Sequence, residues 1–303
     1  MQTKLNSKGE RVYVFDEYPD IEVRPEVITP ADVAEVVPAS RKFRWLVKRL
    51  MHLLQIDEVN RVHSKWCQTP GPEFVKHLMV DEFKIPLQVD NAEVLDLFKE
   101  GAFITVSNHP FGSIDGIALI YIITRVRPRF KVMVNMILNQ LSAMRPNFIA
   151  VDQAASDKPD RRRVSVNGIR EALSMLKAGE PVGFFPAGAI GKTDKEGIIV
   201  DRPWQPAVLQ IIMKSKVPVI PIYFHGTNSR FFNWLGHHSI LLRTACLARE
   251  LFKKREKPMR VTIGEPVSVE KQAEFGKDYE ALGAYLRQAT YRLSGRDITS
   301  VAD

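Results

Sequence analysis

Apolar positions along this chain follow two periods, and the switch between them is sharpest over FITVSNHPFGSIDG, residues 103–116. Residues 103–106 form a short, β-branched apolar run bounded by breakers, the pattern of a buried strand. Residues 108–112 interrupt it with a proline and a glycine, and from Ile114 the stretch IDGIALIYIIT resumes as an apolar helix. The same reading predicts strands at 131–135, at 148–151, in EPVGFF before a glycine-rich turn, in VPVIPIYFHG and in RVTIGEPVSV. Helical spacing separates them: VSVNGIREALSMLKAG ends at Gly179, a loop and then a helix occupy DKEGIIVDRPWQPAVLQIIMKSK, and an amphipathic helix closes the chain over 279–293. Strands alternating with helices predict an α/β fold with a mostly covered central sheet and flanking helices.

Upstream the pattern differs. Residues 1–38 are polar and punctuated by Pro19, Pro25, Pro30 and Pro38, which predicts an irregular arm with little core. Ser40 is a candidate N-cap for RKFRWLVKRLMHLLQI. As a helix this stretch puts Phe43, Leu46, Val47, Leu50, Leu53 and Leu54 on one face, and Arg41, Lys42, Arg44, Lys48 and Arg49 on the remainder. Residues 57–101 read as helical pieces broken at 69–72 and near Pro86, with NAEVLDLFKEG stopped by Gly101. The chain therefore divides into an N-terminal part, 1–85, of arm and basic amphipathic helices, and an α/β domain over 86–303.

Charge adds a partner class. Forty-three Lys and Arg against 35 Asp and Glu leave a formal net charge of +8 on 303 residues, which implies an anionic partner: nucleic acid, an anionic membrane surface or an acidic protein. The basic helix with Trp45 and Phe43 near its start fits an interfacial anchor; equally it fits an ordinary helix with a solvated basic face. Three consecutive arginines, Arg161, Arg162 and Arg163, close the charged loop ASDKPDRRR but lack interleaved aromatics, and no nucleic-acid module is recognisable. Cys67 and Cys246 are too few for a disulfide framework or a zinc site, and a reducing compartment fits them. The N-terminus has no apolar signal core and no stretch approaches a spanning helix, so membrane contact is expected to be peripheral or monotopic.

Three predicted strand ends carry unusual chemistry: NHPFGSIDG, FFPAGAIGK and VPVIPIYFHGTNSR. In open α/β sheets ligands bind beyond the carboxyl ends of strands, so the three turns are expected to meet at one site. His109 with Asp115 behind it suits a general base, because a neutral imidazole titrates near the working pH and a carboxylate stabilises the imidazolium that forms. The plainer alternative is a turn histidine with Asp115 favouring the helix N-terminus. Glycines 188 and 191 allow a ligand close to the backbone of the second turn, which suits an anion or oxyanion, although no Walker spacing follows.

In their order, these blocks resemble the lysophospholipid and glycerol-phosphate acyltransferase superfamily: NHPFGSID (108–115), FIAVDQ (148–153), FFPAG (184–188) and VPVIPIY (217–223). The Asn-His-Pro-Phe-Gly opening is most similar to the branch of hemolysin-labelled proteins and amino-acid-lipid O-acyltransferases that make ornithine or glycine lipids. Four departures from the superfamily pattern stand out. Five residues separate His109 from Asp115 where the family has four, Ala187 stands at the family's glutamate, and Ile190 or Gly191 stands at its arginine; Gln153 ends the second block in place of arginine.

The resemblance implies an acyltransferase domain moving a fatty acyl group from an acyl thioester, acyl carrier protein or acyl-CoA, to the hydroxyl of a lyso-lipid. Lacking the glutamate and arginine associated with glycerol-phosphate, the acceptor is expected to be a mono-acylated amino-acid lipid, with lysophosphatidic acid as the alternative. His109 and Asp115 are the implied catalytic pair. Asn108, Phe111, Gly112, Asp152, Phe185, Pro186, Ala187, Gly188, Lys192, His225 and Asn228 are the implied substrate-binding positions. No metal or cofactor is implied beyond the acyl donor. The implied setting is the cytoplasmic face of the inner membrane, with an anionic membrane surface and the acyl carrier or CoA as partners and no nucleic acid. Two readings without transfer remain: a non-catalytic, hemolysin-like membrane module, and a thioesterase in which the same base activates water.

Overall fold

A computed structural model describes residues 1–152, 159–193 and 199–295. Its centre is a seven-stranded mixed sheet. The strands are β4 (Leu87–Asp90), β5 (Ile104–Ser107), β6 (Lys131–Asn135), β7 (Phe148–Val151), β8 (Val182–Phe184), β11 (Val219–Phe224) and β12 (Met259–Ile263), in the spatial order β4-β12-β11-β5-β8-β6-β7. β11, β5, β8, β6 and β7 run parallel, while β12 and β4 run the other way. β5 lies in the middle, between β8 and β11, so the ends of the three strands that carry the unusual turns are neighbours. Every residue of β5 and β11 is buried, including Thr105 and Ser107 of β5.

Side chains alternate across the sheet. Ile104 and Val106 of β5 join a cluster with Leu209, Ile212, Leu282 and Leu286, whereas Ile220, Ile222 and Phe224 of β11 join the opposite cluster with Phe103, Ile114 and Leu119. The first cluster is covered by α6 (Pro159–Lys177), α7 (Pro206–Ser215) and α12 (Tyr279–Arg292), the second chiefly by α4 (Pro72–Lys76) and α5 (Ile114–Thr124). A short hairpin of β9 (Lys192–Thr193) and β10 (Ile199–Val200) interrupts the path from β8 to α7, and α8 (Arg230–His238), α9 (Ile240–Ala245) and α10 (Leu247–Phe252) intervene between β11 and β12. A short α11 (Val269–Ala273) precedes α12.

The N-terminal part differs from the expected irregular arm. Residues 1–38 contain a three-stranded antiparallel meander, β1 (Gln2–Leu5), β2 (Arg11–Phe15) and β3 (Tyr18–Val23), and the helix α1 (Pro30–Val36). Turn chemistry accounts for this. Asn6 Oδ1 accepts from the amides of Lys8 and Glu10, and Gly9 takes the left-handed conformation, so the polar tract closes a hairpin. A capping box between Thr29 and Asp32 starts α1. Val23 then packs in the same cluster as Val62 of α3 (Ile56–Trp66) and Phe74 of α4.

The predicted basic helix begins as a 3₁₀ turn over Pro38–Phe43 and becomes α2 at Arg44–Leu53. It buries none of its residues, leaving Trp45, Leu46, Leu50 and Leu53 exposed. Arg162 and Arg163 extend the first turns of α6 instead of closing a loop. Gln153, the start of the ASDKPDRRR loop and the DKEG loop lie outside the described residues. No helix among the described residues is long and apolar enough to cross a membrane.

Candidate active site

β5 ends at Ser107, and the backbone reverses at once. Asn108 is buried and clamps the neighbouring strand: its Nδ2 donates to the Phe224 carbonyl at 3.0 Å, and its Oδ1 accepts from the Phe224 amide at 2.7 Å. The next residue, His109, is held by its backbone from two sides. Its carbonyl accepts from Gly191 N–H at 3.0 Å, and its own N–H donates to Asp201 Oδ1 at 3.2 Å.

Gly112 follows with φ +76°, in the left-handed region, and the space a Cβ would need there is filled by Ile190. This turn absorbs the five intervening residues and returns Asp115, in the first turn of α5, to the imidazole. Asp115 Oδ2 lies 3.0 Å from His109 Nδ1, a short but bent contact. The same oxygen accepts from the amides of Phe111 at 2.9 Å and Gly112 at 3.1 Å, and Oδ1 accepts from Gly116 at 3.0 Å. A carboxylate gripped by three backbone N–H groups cannot turn away from the ring.

Electrostatics follow from that grip. Burial disfavours both charges, but for Asp115 the imidazole and the backbone donors outweigh it and hold the carboxyl below its ordinary value. For His109 burial is overcome by Asp115 and then by Asp201, so the imidazole sits above its ordinary value. The ring tilts at 37° against Phe185, centroids 4.2 Å apart. Its Nε2 makes no hydrogen bond among the described residues, and 18 % of the side chain stays exposed. The free nitrogen is therefore the one a hydroxyl can reach.

The second turn lies against the first. A reverse turn closes with Gly188 N–H donating to the Phe185 carbonyl at 2.9 Å, and Gln205 N–H holds the Pro186 carbonyl at 2.9 Å. Gly188 has φ +64°. The amides of Ala187, Ala189 and Ile190 have no hydrogen-bond acceptor among the described residues. Lys192 starts β9 one residue beyond Gly191.

Other expected site residues take different places. Asn228 does join the site, donating to the Phe111 carbonyl at 2.9 Å and so propping the turn from beneath. Asn108 is spent on β11, which makes it a strut. Asp152 follows β7, the edge strand three places from β5, and its backbone pairs with Ser165. His225 is tied to Thr262 Oγ1 at 2.8 Å and packs edge-on against Tyr223, outside the catalytic turn.

Three residues that the structure adds to the candidate site carry no sequence signal of their own. Asp201 is buried with Oδ2 unpaired, its amide bound to Tyr291 Oη at 2.7 Å and its carbonyl to Arg287 at 2.9 Å. Burial pushes its carboxyl up to about 6. Arg243 of α9, also buried, donates to the Gly191 carbonyl at 2.7 Å, its guanidinium 5.0 Å from the Phe232 ring. Tyr291 closes the set from α12. None is reachable by local spacing, because each acts on a turn far away in the chain.

Comparison with known proteins gives the family. The family model described as Acyltransferase matches residues 29–297. The lyso-glycine lipid O-acyltransferase of Bacteroides thetaiotaomicron is 29 % identical over 231 residues, 74 % of this chain and 81 % of the relative. The enzyme of the same name from Phocaeicola vulgatus is 28 % identical over 231 residues, 74 % of this chain and 79 % of the relative. The 1-acyl-sn-glycerol-3-phosphate acyltransferase of Bacillus subtilis is 29 % identical over 116 residues, 38 % of this chain and 43 % of the relative. Among solved structures, the 1-acyl-sn-glycerophosphate (LPA) acyltransferase PlsC of Thermotoga maritima aligns with a TM-score of 0.48 at 18 % identity, covering 82 % of this chain and 81 % of that one.

Proposed function

The chain belongs to the Acyltransferase family, and from that premise we propose that it O-acylates a mono-acylated amino-acid lipid of the lyso-glycine type, using an acyl thioester as donor. One observation carries the mechanism: an imidazole backed by a fixed, ionised carboxylate keeps its other nitrogen free, with Phe185 of the second turn 4.2 Å from the ring.

The acceptor hydroxyl donates to His109 Nε2. As its proton moves to the ring, the oxygen attacks the thioester carbonyl and a tetrahedral oxyanion forms. Asp115 stabilises the imidazolium, and the amides of Ala187, Ala189 and Ile190 are the donors available to the oxyanion. The intermediate then expels the thiolate, which takes the proton from Nε2, leaving ester and free thiol. All atoms come from the two substrates, so the proposed transfer uses no cofactor. Ser113 precedes α5 and accepts from Ile117 N–H through its carbonyl, a turn role, and the proposed attack is direct, with no acyl-enzyme.

The second turn supports an acceptor without a phosphomonoester. Ala187 is small, apolar and buried, and one cation that reaches this turn, Arg243, is directed at backbone carbonyls. Phosphate recognition needs a free guanidinium or ammonium. A net charge of +8 and the unpartnered apolar stripe of α2 support peripheral attachment of the N-terminal part, 1–85, to an anionic membrane. On this reading the enzyme works at the cytoplasmic face of the inner membrane, where acyl carrier protein or acyl-CoA is supplied.

The test offers purified protein either donor, together with lyso-glycine lipid or lysophosphatidic acid, and reads products by mass spectrometry. Diacylated glycine lipid is expected, and it disappears in a folded His109→Ala protein. A clear preference for lysophosphatidic acid sinks the acceptor assignment. Free fatty acid as the sole product makes the protein a thioesterase instead.

A further inference from the structure

The segment between β11 and β12 presents a second apolar surface, and it touches the catalytic turn. In α8 the buried side chains are Phe232 and Leu235, whereas Phe231 and Trp234, three apart and therefore on one face, are 57 % and 52 % exposed. Their rings stack with centroids 6.0 Å apart at 24°. In α9, which packs on α8, Ile240 is 62 % and Leu242 55 % exposed. Single exposed apolar residues are ordinary, but four within residues 231–242 of a soluble fold mark an interaction surface.

Charge says what covers it. Residues 229–257 contain seven Lys and Arg and two Glu. Of those, Glu250 is buried against Ser229 and Lys253, and Arg243 is buried at the Gly191 carbonyl, which leaves Arg230, Arg249 and Lys257 among the exposed cations. Exposed Trp and Phe set among basic residues match the interfacial zone of an anionic bilayer, where apolar insertion and attraction to lipid headgroups add. The inner side of the same hairpin is fastened to the site: Arg243 holds the Gly191 carbonyl, and Gly191 N–H holds the carbonyl of His109.

We infer that α8 and α9 dock the enzyme on an anionic lipid bilayer through Phe231, Trp234, Ile240 and Leu242, placing the catalytic turn at the membrane surface. The inference rests on the proposed lipid acceptor, because an acceptor drawn from a bilayer needs the site at its edge. It is distinct from attachment through α2: an anchor on α2 tethers the protein, whereas this surface sets the orientation of the turn.

The test compares the native protein, Phe231→Ser/Trp234→Ser and Leu46→Ser/Leu50→Ser. Binding to vesicles of phosphatidylethanolamine with phosphatidylglycerol is measured by co-sedimentation. Each buried aromatic is worth roughly tenfold in partition, so the α8 pair is expected to bind about 100-fold more weakly. Its turnover on vesicle-borne acceptor falls with binding, while turnover on a monomeric short-chain acceptor is unchanged. Brominated lipids quench Trp234 in a Trp45→Phe/Trp66→Phe protein, whose other indole, Trp204, is buried, and this decides the matter even if the serine pair unfolds α8. Unchanged partition of a folded α8 variant, absence of quenching, or a lipid-free dimer dissolved by Trp234→Ser overturns the inference. Absence of acyl transfer in every protein, native included, with binding and quenching intact, overturns the proposed function and leaves the docking surface standing.

Discussion

Asp115→Asn tests the core of the mechanism with little change of shape. With the asparagine oxygen in the place of Oδ2, the amides of Phe111 and Gly112 keep their acceptor, but an NH₂ then faces the Gly116 N–H that Oδ1 now accepts. One hydrogen bond to a charged acceptor is lost and two donors confront each other, which costs about 1–3 kcal/mol of stability. The larger effect is on the reaction. Without the carboxylate charge the imidazolium loses its nearest stabilising group, and turnover should fall by about 10²–10⁴, equivalent to about 3–5 kcal/mol of barrier. The pH dependence gives an independent sign. Asp115 outweighs burial to keep the imidazole above its ordinary value; once it is neutral, burial pulls the imidazole down, so the acid limb of the rate profile moves to lower pH while the plateau drops. Release of free thiol from the donor in the presence of acceptor measures the rate, and thermal unfolding confirms the fold. A folded Asp115→Asn protein with undiminished turnover and an unmoved acid limb would refute the pairing.

Asp201→Asn keeps an oxygen for the His109 amide but removes a buried charge. The folded carboxyl at about 6, against 3.8 when unfolded, binds its proton more tightly than the unfolded chain does. Stability from this group is therefore greatest below about pH 4 and declines as pH rises through about 6, by up to about 3 kcal/mol. Asparagine should raise the melting temperature at pH 7 and lower the pH of the acid limb; a protein destabilised at pH 7 counts against this reading. His63 slopes oppositely. Burial, helped by the nearby charges of Arg24 and Arg145, lowers its pKa to about 4 against the hydrogen bond that Nδ1 donates to the Pro25 carbonyl, while Nε2 accepts from the Ala143 amide. Its contribution, about 3 kcal/mol, is present above the ordinary value of 6.5 and lost as pH falls towards 4, which hydrogen exchange should show as early loosening of residues 24–28. Gly112→Ala forces a side chain into the left-handed region and into Ile190, costing at least about 1–2 kcal/mol. Ile190→Ala in the same chain should restore part of that in a denaturant titration, and no restoration would place the strain elsewhere.

Much of the main domain was legible in the chain because its information is local. Strands 131–135 and 148–151 carry β-branched residues shortly after Pro128 and Pro146, and they occur with those bounds. The helix from Ile114 follows from its uninterrupted apolar stretch. His109 and Asp115 lie close enough in sequence that one turn decides whether they meet, and Gly112 is the residue type that permits it. Polar composition misled at the N-terminus, where side-chain caps at Asn6 and Thr29 build strands and a helix that an apolar count does not register.

Tertiary structure decided the rest, for a physical reason. A buried polar group needs a partner, and that partner can come from any distance along the chain. Asp201 meets the His109 amide from 92 positions away, Arg243 ties the second turn from 52, and Asn108 and Asn228 each cross more than a hundred residues to hold one backbone. No periodicity encodes such pairs. The exposure of Phe231 and Trp234 is of the same kind: residues of those types are as often core as surface in a sequence, and only the packing of α8 against its neighbours determines which side faces out.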